Sequence, residues 1–153
     1  MKVGGPPAAI ATAGIVVAVD QATKQLAATR ILPGEQVDVI PGLQFTHTRN
    51  TGVAFGALAG GGLIVAILIG LSLALLVAYF IANREQAWLW LPVGMLFGGA
   101  LGNLADRARD GAVIDFIDPI AWPAFNVADS CIFIAVFCFI VHSLRKRKEP
   151  AAL

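Results

Sequence analysis

Four long apolar runs constrain this chain more than any other feature, and they occupy residues 8–28, 62–82, 88–104 and 126–142. A helix that crosses a bilayer needs about 20 mostly apolar residues. Only 14% of the residues are charged and 58% are hydrophobic, whereas a soluble domain is about a quarter charged and about half apolar. The runs therefore predict four transmembrane helices in one domain that spans residues 1–153.

The basic residues beside these runs predict the orientation of the chain in the membrane. With four crossings both termini lie on one side, together with Lys2, Arg84 and the cluster 145–148. The opposite side holds Arg30, Arg49, Arg107 and Arg109. Because cytoplasmic flanks carry the excess of Lys and Arg, we expect cytoplasmic termini and outward loops at 29–61 and 105–125. The terminal basic cluster is interpreted as a membrane anchor, and we expect no nucleic-acid partner.

The first outward loop has the pattern of a β-hairpin. Residues 37–40 and 43–48 are two short strand-like runs on either side of Pro41-Gly42, a typical turn pair. The second run alternates apolar and polar residues, which predicts one face on the bilayer and one face in water. The expected fold is an all-α membrane bundle of four helices with a small extracytoplasmic β-hairpin or β-sheet platform.

Several polar residues lie at positions that favour a structural role. Asp20 and Lys24 stand four residues apart inside the first run, which is the favourable order for a helical ion pair facing the bundle. Asn50 and Gly52 have the pattern of a turn, although the Asn50 amide could also bind a substrate backbone. Small residues at 98, 99, 100 and 102 predict a helix face that another helix can approach closely.

Two aspartates suggest chemistry as well as structure. Asn126 is a candidate N-cap, and Asp129, three residues later, is placed as the reciprocal capping acid. Asp115 is flanked by apolar residues that would draw it to the membrane surface. A carboxylate at such a place must be paired, protonated or used. We hypothesise that Asp115 and Asp129 meet as a catalytic pair at a membrane surface.

Two other classes of protein compete with this hypothesis. A small transporter or channel subunit would place Asp20, Lys24 and Asp129 along an ion path, but the polar positions gather toward the outer ends of the runs. A non-catalytic scaffold would explain the small-residue face and leave Asp115 and Asp129 without a role. His47 and His142 fall on opposite sides of the membrane in this topology, so we expect no metal site.

Five blocks of the sequence, in order, resemble the signature blocks of bacterial lipoprotein signal peptidase, also called signal peptidase II. They are residues Asp20–Lys24, Asn50–Phe55, Gly99–Arg107, Val113–Phe116 and Phe125–Ser130. The blocks extend from the first apolar run to the fourth and cover most of the chain. The resemblance implies an aspartic endopeptidase of the bacterial inner membrane, with Asp115 and Asp129 as its catalytic residues.

The resemblance also implies a substrate and a set of supporting residues. The enzyme would remove the signal peptide from diacylglyceryl-modified prolipoproteins by cleaving before the lipidated cysteine. It would need no cofactor or metal, would bind globomycin-type inhibitors, and would act as a monomer among membrane lipids. The residues that would bind substrate or support the site are Asn50, Gly52, Asn103, Arg107, Asn126, Asp20 and Lys24.

Overall fold

A helix covers each of the four apolar runs in the computed structural model, which describes residues 5–51, 62–83, 85–86 and 88–146. The helices are α1 (Pro6–Arg30), α2 (Gly62–Ala82), α3 (Trp90–Asp110) and α4 (Val127–Lys146). The strands are β1 (Gln36–Ile40), β2 (Leu43–Asn50) and β3 (Val113–Pro119). The predicted helices are confirmed, and the chain is mostly helical with one small sheet.

One described helix is long and apolar enough to cross a membrane by itself. It is the segment Val127–Arg145 of α4, with a mean hydropathy of 2.1. Within the described residues α2 contributes a shorter apolar stretch, Gly70–Ala82. Four crossings of a bilayer therefore remain a prediction.

The third helix is longer than its apolar run. It continues past Leu104 to Asp110, so the predicted loop 105–125 begins six residues late. Gly111 ends the helix in a left-handed conformation (φ 70°), and its N–H donates to the carbonyl of Arg107. A glycine is favoured at this position because a left-handed backbone carries no steric cost without a side chain. The extension was missed because four of its six residues are charged, which ends the apolar run.

The sheet is antiparallel with the order β1-β2-β3. The predicted hairpin about Pro41-Gly42 is confirmed, and Gly42 has the positive φ of 90° that such a turn needs. The third strand lies inside what was predicted to be a loop. Asp118 and Pro119 are the last residues of β3.

The predicted alternation of apolar and wet faces along β2 is wrong at its centre. Thr46 is buried, and its hydroxyl donates to the carbonyl of Glu35 at 3.0 Å. Phe45, expected on the face that rests on the bilayer, is 39% exposed, which agrees with that expectation, and it contacts the ring of Phe116 on β3. A hydroxyl can be buried in this way because the neighbouring backbone accepts its hydrogen bond.

Glycines of α3 let this helix pack closely against α1 on one side and α4 on the other. A Cβ on Gly98 would lie 2.6 Å from Cβ of Val16, and one on Gly99 would lie 2.6 Å from the carbonyl oxygen of Ala128. A Cβ on Gly102 would lie 2.6 Å from a carboxylate oxygen of Asp20. The predicted small-residue face is confirmed, because none of these positions has room for a side chain.

A buried ion cluster joins α1 to α3. Lys24 Nζ lies 2.8 Å from a carboxylate oxygen of Asp20 and 2.8 Å from one of Asp106, and all three side chains are at most 1% exposed. The predicted pair of Asp20 and Lys24 is confirmed, and Asp106 adds a second carboxylate. Asp20 also accepts the N–H of Ala128 at 2.9 Å. The cluster therefore fixes the N-terminal end of α4 as well.

Replacing Gly98 by Ala should lower the stability of the protein. Because Val16 and the α1 backbone occupy the space of the new methyl group, α1 and α3 must separate, at a cost of about 1–3 kcal/mol. Gly14 on α1 has nothing within 4 Å of its Cβ position, so Gly14→Ala is the matched control. Thermal unfolding in detergent would measure both variants. Equal melting temperatures for the two variants would contradict the close packing.

Asp20→Asn should destabilise the fold strongly. The change removes one of the two carboxylates that pair with Lys24 in the buried cluster, and removing a partner from a buried ion pair costs up to about 3–5 kcal/mol. Asp110→Asn is the control, because Asp110 pairs with Arg109 at the exposed end of α3, where ion pairs contribute at most about 1 kcal/mol. Unfolding in detergent would measure both variants. An Asp20→Asn protein as stable as the wild type would show that the ion cluster does not hold the helices together.

Candidate active site

A short bridge between β3 and Phe125, two residues before α4, positions the candidate site. Ile117 and Phe125 form an antiparallel pair, in which each backbone N–H donates to the other residue's carbonyl at 2.9 Å. Asp115 lies two residues before this bridge and Asn126 lies one residue after it. Because the bridge holds the two segments side by side, Asp115 and the start of α4 lie close together.

The side chain of Asn126 connects the two predicted catalytic aspartates. Its amide Nδ2 donates to Oδ1 of Asp115 at 2.7 Å, while its Oδ1 accepts the backbone N–H of Asp129 at 2.9 Å. Oδ2 of Asp129 in turn accepts the backbone N–H of Asn126 at 3.3 Å. The predicted helix cap is therefore present as a reciprocal capping box. The same residue that caps α4 also binds the carboxylate of Asp115.

Asn103 of α3 carries the contact from the ion cluster to Asp129. Its Nδ2 donates to Oδ1 of Asp129 at 2.8 Å, and its Oδ1 accepts from Lys24 Nζ at 2.8 Å and from Asn126 Nδ2 at 3.3 Å. The two donors on its oxygen fix the orientation of the amide. An amide held in this way presents its N–H to Asp129, since only the nitrogen end can donate.

Asn50 reaches Asp115 from the sheet. Asp115 lies opposite Thr48 in the pairing of β2 with β3, so Asn50 is its diagonal neighbour on the same face. Nδ2 of Asn50 donates to Oδ2 of Asp115 at 2.9 Å. The interpretation of Asn50 as a turn residue is wrong, because it ends a strand. Gly52 lies outside the described residues.

Arg107 lies on α3, one turn beyond Asn103. Its guanidinium donates to the carbonyl of Asn103 at 3.3 Å. The structure thus brings six of the seven predicted supporting residues to one end of the bundle, around the two aspartates. They are Asn50, Asn103, Arg107, Asn126, Asp20 and Lys24.

The two aspartates differ in exposure. Asp115 is 2% exposed, whereas Asp129 is only partly buried. Burial raises the pKa of Asp115 to about 6, and the nearby charge of Asp129 raises it too, while hydrogen bonds from Asn50 and Asn126 lower it. A carboxyl group with such a pKa is able to hold a proton at mildly acidic pH and to donate it.

Sequence reasoning missed two members of the site's support. Asp106 pairs with Lys24, and Gln21 donates to Oδ1 of Asp106 at 2.8 Å. The sequence does contain a signal for Asp106, since this residue follows Asn103 by three positions and so lies on the same face of a helix. It was not used because α3 was predicted to end before Asp106.

The described part of the chain contains no group of three or more His, Cys, Asp or Glu side chains placed to bind a metal ion. The chemical groups that the site does offer are two carboxyls, three asparagine amides and a nearby cluster of fixed charge. Two neighbouring carboxyls in different environments can divide the roles of acid and base between them.

Comparison with known proteins gives a consistent result. Residues 12–145 match the family of signal peptidase (SPase) II. A lipoprotein signal peptidase from Syntrophus aciditrophicus is 40% identical over 151 residues, covering 92% of this chain and 94% of its own length. One from Parasynechococcus marenigrum is 42% identical over 138 residues, covering 86% of both chains.

Two solved structures have the same fold. Both are described as a bacterial membrane enzyme, both are 36% identical to this chain, and they superpose with TM-scores of 0.86 and 0.85. The first alignment covers 97% of this chain and 95% of the solved one, and the second covers 94% and 97%. The match therefore includes the helices, the sheet and the junction between them. This chain belongs to the signal peptidase II family.

Proposed function

We propose that this protein is an intramembrane aspartic endopeptidase that removes signal peptides from diacylglyceryl-modified prolipoproteins. The membership of the chain in the signal peptidase II family and the names of its relatives support the substrate. Cleavage would occur before the lipidated cysteine. The same site is our candidate for binding globomycin-type inhibitors.

The contact of Asn126 with both aspartates is the observation that carries the proposal. Asp115 comes from the sheet and Asp129 from α4, and one asparagine holds both at the junction. Helix capping alone would need Asn126 and Asp129 but would give no reason to bury Asp115 beside them. A shared proton between two carboxyls gives that reason.

The proposed reaction uses the pair as acid and base. The ionised carboxylate takes a proton from a water molecule as the water oxygen attacks the scissile carbonyl carbon. The protonated carboxyl donates its proton to the carbonyl oxygen, which would otherwise carry a negative charge. When the tetrahedral intermediate collapses, the C–N bond breaks and the amine of the lipidated cysteine leaves with a proton from the pair. Asn50, Asn103 and Asn126 keep the carboxyls in position throughout.

The topology that we propose has four membrane crossings. Each of α1, α2, α3 and α4 has 20 residues or more, which is long enough to cross a bilayer. The two charges inside α1 are matched within the ion cluster and do not face lipid. Basic residues favour cytoplasmic termini in the bacterial inner membrane, with the sheet and the two aspartates at the outer surface. A monomer forming one domain would contain the whole site.

Asp115→Asn and Asp129→Asn should each abolish cleavage of a lipidated prolipoprotein by the purified protein in detergent. Each change keeps the shape of the side chain but removes its ability to exchange a proton, a contribution of at least about a hundredfold in rate. Product would be followed by gel mobility and its new N-terminus identified by mass spectrometry. Asp118→Asn is the control, because Asp118 lies on the same strand and, among the described residues, its carboxylate accepts one weak hydrogen bond, from Gln36 at 3.4 Å.

The outcomes of this experiment separate the parts of the proposal. If the wild type cleaves and a folded Asp129→Asn variant also cleaves, Asp129 is only a helix cap. The same result for Asp115→Asn would remove Asp115 from the reaction. If the wild type does not cleave lipidated substrate, the peptidase proposal fails, and ion flux in liposomes becomes the test of the rival transporter class.

The burial of Asp115 predicts a pH dependence of stability. The pKa of Asp115 is about 6 in the folded protein, whereas its ordinary value is 3.8. The contribution of this proton to stability is therefore complete below about pH 4, and it is lost as the pH rises from there through about 6. The full loss is up to about 3 kcal/mol. Asp115→Asn should remove this loss, and thermal unfolding between about pH 4 and about pH 7 would measure it. Asp38→Asn, an exposed change on the same sheet, is the control; an Asp115→Asn protein with the same pH dependence as wild type would contradict the prediction.

A further inference from the structure

A cavity lies at the end of the bundle opposite the aspartates. It has a volume of about 300 Å³ and is lined by Trp88 together with Phe137, Cys138, Val141, His142 and Arg145 of α4. His142 follows Asp129 by thirteen residues, which is about 20 Å along the helix. The cavity is therefore separate from the site already described.

The lining of the cavity is divided into an apolar part and a polar part. Phe137, Cys138 and Val141 lie nearer the middle of α4, whereas His142 and Arg145 lie at its end. All five fall on one face of the helix, since consecutive members are one or three residues apart and the pattern repeats every four residues. Phe137 is 58% exposed, so the apolar part opens to the outside of the bundle.

The polar part of the cavity has binding capacity that the described protein does not use. The ring of His142 stacks on that of Trp88, with centroids 4.1 Å apart and planes at 33°. Its Nε2 is buried and has no hydrogen-bond partner among the described residues. Arg145 adds a positive charge, and none of the described lining residues carries a carboxylate. A buried ring nitrogen without a partner is costly unless a ligand meets it.

We propose that this cavity binds the head of an anionic phospholipid of the surrounding membrane. The phosphate would pair with Arg145 and accept a hydrogen bond from Nε2 of His142, and an acyl chain would lie along Phe137 and Val141. Basic cavities at the cytoplasmic ends of membrane helices suit such heads, because a phosphate is satisfied there beside hydrocarbon. The sequence continues past Arg145 with Lys146, Arg147 and Lys148, which favours an anionic over a zwitterionic lipid.

The proposal extends the proposed membrane topology but does not depend on the cleavage chemistry. In that topology the end of α4 lies in the cytoplasmic leaflet, at the depth of the phospholipid heads. A failure to bind lipid would therefore leave the roles of Asp115 and Asp129 untouched. Equally, a protein that binds the lipid but cleaves nothing would leave this site standing.

The test titrates dioleoyl phosphatidylglycerol into the full-length protein in detergent and counts bound lipid by native mass spectrometry. We expect one retained lipid per protein, with Arg145→Gln and His142→Phe each weakening the affinity at least about fivefold. His142→Phe keeps an aromatic ring against Trp88 but removes the donor. Arg30→Gln, which removes a similar exposed arginine from the last turn of α1, should leave the affinity unchanged.

Two matched ligands and a second readout complete the test. Dioleoyl phosphatidylcholine has the same chains without net charge, and inorganic phosphate has the charge without chains; both should bind more weakly than phosphatidylglycerol. A brominated phosphatidylglycerol should quench tryptophan fluorescence in the wild type and less in Trp88→Phe. Equal affinity for the two lipids, an unchanged affinity in both Arg145→Gln and His142→Phe, or quenching that is the same in Trp88→Phe would each overturn the proposal.

Discussion

The balance of charge around Lys24 is the constraint on which the rest of the structure depends. A buried ammonium group is tolerated only where carboxylates compensate it, and Asp20 and Asp106 supply them from two different helices. The geometry that satisfies the charge also sets the relative position of α1 and α3. It leaves one donor of Lys24 for Asn103, which in turn orients Asp129. The position of a reactive carboxyl is thus set by a charge that takes no direct part in the proposed reaction.

The residue that caps α4 also helps to assemble the proposed active site. Asn126 accepts the free backbone N–H of Asp129, as an N-cap does, and its amide nitrogen donates to Asp115. Asp20 adds a second acceptor for the same helix end from α1. The capping box itself is local to residues 126–129, whereas the contacts with Asp115 and Asp20 join segments distant in sequence and form only when the sheet and α1 are in place. The proposed active site is complete only when the whole bundle is.

The sequence allowed the helices, the hairpin turn and the small-residue face to be predicted, because each has a local signal: apolar length, a Pro-Gly pair, and glycines three or four residues apart. The length of α3 and the strand β3 were not predicted. Four of the six residues 105–110 are charged, so the apolar run stops although the helix does not. Residues 113–119 form a strand only because they pair with β2, and this pairing is a tertiary contact. The same limit explains Asp106, whose partner lies on another helix, and the buried Thr46.

The contact between Gly102 and Asp20 has a consequence for how this protein can change during evolution. The missing Cβ of Gly102 is the space that the Asp20 carboxylate occupies. A larger residue at position 102 therefore requires a smaller one at position 20, although the two are 82 residues apart in the chain and on different helices. The two positions are epistatic, and the order of substitutions matters, because Gly102 can be replaced only after Asp20 has left that space.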